Sequence, residues 1–66
     1  METISYFVVW IGDNNKEKYT FLDITVDKMD YASEIEEKIS DKLSNMYGLL
    51  YLEIKHVSFL KSNKTN

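Results

Sequence analysis

His56 is the one histidine of this 66-residue chain, and no other side chain type present has an ordinary pKa near neutrality. To act as a general acid or base it needs a nucleophile or a carboxylate within hydrogen-bond reach. Glu53 lies three residues away on an extended segment, which is expected to place it on the opposite face. The run Asp13-Asn14-Asn15-Lys16-Glu17 has the ligand types of a calcium loop. It lacks the glycine at the sixth position and the acid at the twelfth that such a loop uses, and Lys16 sits inside it, so it reads as a turn. The serines (Ser5, Ser33, Ser40, Ser44, Ser58, Ser62) are scattered, and none has the glycine frame of an activated nucleophile. No glycine-rich phosphate loop is present, no cysteine exists to ligate zinc, and no proline exists to serve as an N-terminal base. The chain therefore reads as non-enzymatic, with no catalytic residue, metal site or cofactor assigned.

Carboxylates concentrate in one place. Asp27, Asp30, Glu34, Glu36, Glu37 and Asp41 stand against Lys28, Lys38 and Lys42. On a helix, Glu34 and Lys38 form an i,i+4 pair in the favourable order, whereas Asp30–Glu34 and Glu37–Asp41 are like-charged pairs. A ribbon of Asp30, Glu34, Glu37 and Asp41 offers an alternative function, that of an acidic mimic of nucleic acid. The plainer reading is a solvated helix face, since the whole chain carries a net charge of only −3. All eight basic residues are lysine. Arginine is the usual bidentate reader of phosphate and guanine, so direct nucleic-acid binding is not expected.

These side chains need elements to hold them. Residues 4–11, Ile-Ser-Tyr-Phe-Val-Val-Trp-Ile, are apolar on both parities, as in a strand covered on both faces. Gly12 to Lys16 are turn formers that tolerate positive φ. Lys18 to Val26 alternate, with Leu22, Ile24 and Val26 on one side and Tyr19 and Phe21 opening the other, which completes a β-hairpin. From Asp27 the period changes: Tyr31, Ala32, Ile35, Ile39, Leu43, Met46 and Tyr47 share a helical face, which predicts a helix over about residues 28–46. Asp27 is a candidate cap, Asp30 lies at N3, and Val26 with Tyr31 fits a hydrophobic staple; Ser33 with Glu36 fits a later capping box. Gly48 can take the left-handed conformation that ends a helix. Leu49 to Leu60 form a third strand, with Leu50, Leu52 and Ile54 inward and Tyr51 outward. The phase slips after His56; a bulge near Lys55-His56 repairs it, or the strand's end passes into another layer. Residues 61–66 have no apolar side chain and are expected to be a frayed, disordered tail beyond a single domain of residues 1–60.

The expected fold is α+β, a ββαβ arrangement in which a three-stranded antiparallel/mixed sheet of order 2-1-3 carries one helix on one face. That order makes the first strand central, which accounts for its apolar character on both sides. One helix covers one face. The other is then expected to expose Phe7, Val9, Ile11, Tyr19, Phe21 and Tyr51, with Tyr6, Val8 and Trp10 inward; the reverse parity of the first strand is the alternative. A patch of that kind marks an interaction surface, and self-association into a homodimer through it is the expected use. No apolar run approaches the ~20 residues that span a bilayer, and no secretory signal is readable, so a cytoplasmic, membrane-free protein is expected.

The order of elements, with Tyr6-Phe7-Val8-Val9-Trp10, Gly12 to Lys16, Ser33 to Gly48 and Ile54 to Leu60, resembles small ββαβ proteins common among phages and prophages of low-GC bacteria. The resemblance implies a setting: a phage accessory protein in the host cytoplasm that inhibits or modulates a host or defence protein. It carries no site residue with it.

Overall fold

A computed structural model of the chain describes residues 2–27 and 32–64. Strand β1 (Glu2–Ile11) pairs antiparallel with β2 (Glu17–Val26), helix α1 (Ala32–Tyr47) follows, and β3 (Glu53–Lys64) returns to pair antiparallel with β1. The sheet order is β2-β1-β3, the expected α+β ββαβ fold with β1 in the centre. Central position and two-sided apolar pattern thus coincide.

The parity of β1 is settled. Tyr6, Val8 and Trp10 are buried on the inner face with Leu22, Ile24 and Val26 of β2, under Ile39 and Leu43 of α1. Ile35, Ile39 and Leu43 recur every fourth residue, so one stripe of α1 meets the sheet. Complete burial of a side chain such as Ile39 or Leu43 contributes about 1.5–3 kcal/mol.

The local devices work as the residue types require. In the hairpin turn Asn15 adopts φ 57° and donates its N–H to the Gly12 carbonyl at 3.0 Å. Gly12 is buried; a Cβ there would lie 2.8 Å from the Trp10 ring and 3.1 Å from Leu49 Cδ2, so the position admits no side chain without displacement. Gly48 has φ 61°, and the Leu49 N–H closes back on the Ser44 carbonyl at 3.1 Å. That six-to-one closure around a left-handed residue ends α1 one residue later than expected. The staple of Val26 with Tyr31, and Asp30 at N3, involve positions outside the described residues.

β3 departs from expectation at both ends. It begins at Glu53 rather than Leu49, and Leu50, expected inward, is 98% exposed in the connection from α1. Leu49 packs on the core there instead. At the other end β3 runs through Lys61 to Lys64, positions expected to lie in the tail, because Thr3 and Glu2 of β1 still offer pairing partners. Residues 65 and 66 lie outside the described residues. Two register shifts interrupt β3: Trp10 opposes Ile54 and Val9 opposes His56, leaving Lys55 as the extra residue, and Tyr6 opposes Phe59 while Ser5 opposes Lys61, leaving Leu60. The first is the bulge expected near Lys55-His56. No helix among the described residues is long and apolar enough to cross a membrane.

Candidate functional site

The outer face of the sheet is divided. On β1 and β2, Phe7 lies between Tyr19 and Phe21, with ring centroids 5.7 and 5.1 Å apart, and Tyr19 and Phe21 meet edge-on at 6.3 Å. Phe7 opposes Phe21, and Val9 opposes Tyr19, so cross-strand pairing builds this cluster. Tyr19 and Phe21 remain 67% and 63% exposed, while Phe7, Val9 and Ile11 are half-buried. Across β1 the outer face turns polar: Glu53, His56, Ser58 and Lys61 of β3 stand opposite Ile11, Val9, Phe7 and Ser5. The apolar patch is therefore banked toward β2. Five of the six residues expected on this face share it; Tyr51 is exposed in the connection before β3, its hydroxyl donating to Glu53 Oε1 at 3.0 Å.

β2 forms one edge of the sheet, and α1 attends to part of it. Lys42 Nζ donates to the Asp23 carbonyl at 2.5 Å, and Lys38 Nζ to the Thr25 carbonyl at 3.3 Å. Both carbonyls belong to odd positions, which places the odd backbone groups of β2 on the side away from β1. Ser5 Oγ donates to Asp23 Oδ1 at 2.5 Å on the outer face. On the inner face α1 leaves β3 partly bare. Phe59, which meets Tyr6 edge-on at 6.5 Å, is 61% exposed, and a cleft of about 460 Å³ is lined by Tyr6, Leu22, Lys42, Met46 and Leu60 together with the outer-face residues Ser5, Phe21, Asp23 and Lys61. Burial, then the nearby Glu2, pushes the Tyr6 phenol pKa up.

Among the described residues, the titratable groups stay apart or serve structure. The bulge at Lys55 reverses parity, so Glu53 and His56 occupy the same face, correcting the expectation of opposite faces. Their partners nevertheless differ. Glu53 accepts from Lys55 Nζ at 3.0 Å and from Tyr51, while His56 Nε2 bonds Ser58 Oγ at 2.7 Å. The hydrogen bond from Lys55, then that from Tyr51, holds the Glu53 carboxyl below the usual range; Glu53 in turn raises Lys55 and Tyr51. Among the described residues no group of three or more potential ligands converges to hold a metal ion. Glu34, Glu37 and Asp41 are exposed on α1, and Asp30 lies outside the described residues.

Two polar arrangements gave no signal in the sequence. Asp13 accepts the backbone N–H groups of Leu50 (3.0 Å) and Tyr51 (2.6 Å), tying the hairpin turn to the connection before β3. Inside the core Trp10 Nε1 donates to Thr20 Oγ1 at 3.0 Å, and Thr20 shares a second hydrogen bond of 3.0 Å with Tyr47 Oη, whose ring lies 5.0 Å from Trp10. Partners so distant in the chain have no local periodicity to read. Comparison with family models, curated proteins and solved structures finds no match for this chain.

Proposed function

We propose that this chain is a non-catalytic protein-binding module that self-associates through the aromatic patch of Phe7, Val9, Tyr19 and Phe21. One observation carries the reading: Tyr19 and Phe21 stay about two-thirds exposed while packed on each other and on Phe7, so the patch is ordered and dehydratable without rearrangement.

Sedimentation velocity across a concentration series tests this. The wild-type chain dimerises, and Phe21→Asp stays monomeric with an unchanged circular dichroism spectrum. A wild-type chain that remains monomeric throughout overturns the reading. The cellular role that fits it is that of a phage or prophage accessory protein acting on a host or defence protein. Its support is the order of elements described above. Capture from host cells with wild-type and Phe21→Asp baits tests the role: one host protein retained by the first and lost by the second.

A further inference from the structure

We propose that two copies join edge to edge through β2, in the antiparallel register that places Tyr19 opposite Tyr19 of the second copy on a two-fold axis normal to the sheet. The inference deepens the self-association reading and rests on it, but replaces face-to-face stacking with one continuous sheet.

The two edges of the sheet differ in kind. β3 is interrupted by register shifts at Lys55 and Leu60, and bulges blunt an edge against further pairing. β2 keeps an unbroken register with β1 from Glu17 to Val26, so its free side is regular. The odd residues direct their backbone groups to that side. At Asp23 and Thr25 the carbonyls are taken by Lys42 and Lys38. Among the described residues, no contact of this kind from α1 or a loop reaches the backbone of Glu17, Tyr19 or Phe21. The open stretch thus ends at the start of β2 on one side and at the Lys42 contact on the other, and Tyr19 is its midpoint.

A window centred on one residue is self-complementary. With Tyr19 on the axis, Glu17 opposes Phe21 and Lys18 opposes Thr20 of the other copy, so no charge stands directly opposite a like charge. Tyr19 exchanges both backbone hydrogen bonds with its counterpart, and Glu17 does the same with Phe21 at either end. Because the axis is normal to the sheet, outer faces stay on one side and helices on the other. The patch, already banked toward β2, becomes a single aromatic surface spanning both copies. Tyr47, bonded to Thr20 on the inner face, stands beside the axis in each copy.

The chain has no cysteine, so single introduced thiols report the register. A residue pair that exchanges hydrogen bonds across antiparallel strands has Cα atoms about 5.5 Å apart, within disulfide range. Tyr19→Cys is expected to form a disulfide-linked dimer under mild copper-phenanthroline oxidation. Glu17→Cys is expected not to, because its two copies lie more than about 13 Å apart in this register. Glu17→Pro, which removes an edge N–H without touching the β1 ladder, is expected to weaken dimerisation about tenfold or more with an unchanged circular dichroism spectrum. A dimer lost in Phe21→Asp but indifferent to Glu17→Pro, or without the Tyr19→Cys link, overturns the edge register and leaves face-to-face association standing. A wild-type chain that is monomeric at all concentrations overturns both.

Discussion

Asp13 sits in a hairpin turn, yet its carboxylate holds backbone N–H groups 37 and 38 positions away. Charge-assisted bonds of this kind are stronger than neutral ones, though here water can replace part of the loss. Asp13→Ala is therefore expected to destabilise by about 1–2 kcal/mol in urea unfolding, and Asp13→Asn, which keeps an acceptor, by less. Thr20 presents the opposite case, a hydroxyl sealed inside. Thr20→Val preserves shape but strips the Trp10 N–H of its acceptor, at a cost of about 1–3 kcal/mol by the same measurement. Glu53 gives a pH signature. Its folded pKa is lowered by Lys55 and then Tyr51, so their support is present above the ordinary glutamate range and fades as pH falls through the lowered value. Since the group is exposed, the effect belongs to titration rather than stability. Lys55→Met should move the Glu53 midpoint upward in a carbon-13 NMR titration; an unmoved midpoint contradicts the assignment.

Elements were legible where a repeating pattern decides them. Two-sided apolarity put β1 in the centre, the spacing of Ile35, Ile39 and Leu43 drew the helix, and the phase slip at Lys55-His56 announced a bulge. Gly48 marked the helix end through its conformation, and Gly48→Ala is expected to cost about 1–2 kcal/mol in thermal unfolding, the penalty of a left-handed Cβ. Misreadings arose where a pattern outran its element. Alternation continued from Leu50 through Leu52, yet the chain there is a connection whose N–H groups satisfy Asp13. Lys61 to Lys64 look like a tail because a solvent-exposed edge strand needs no apolar residues. The patch residues Phe7, Tyr19 and Phe21 followed from parity. Its lopsided placement did not, because that depends on where α1 lies across the sheet and on which side of β1 the polar residues of β3 fall.

The whole molecule has little stability to spare. A single core in a chain below about 70–80 residues rarely supplies more than ~3–5 kcal/mol, and no disulfide assists it. Leu43 is fully buried at the centre of that core. Leu43→Ala is expected to remove about 2–5 kcal/mol and leave much of the population unfolded, visible as loss of amide dispersion in a proton–nitrogen NMR spectrum. The proposed docking through the patch, by contrast, adds stability that depends on concentration. The chain also holds a spectroscopic division of labour. Its single indole, Trp10, is sealed in the interior against Tyr47, whereas the exposed patch of Phe7, Tyr19 and Phe21 holds only phenyl and phenol rings. Emission excited at the red edge of absorption therefore tracks melting of the interior alone, and fluorescence and sedimentation can follow the two equilibria separately in one sample.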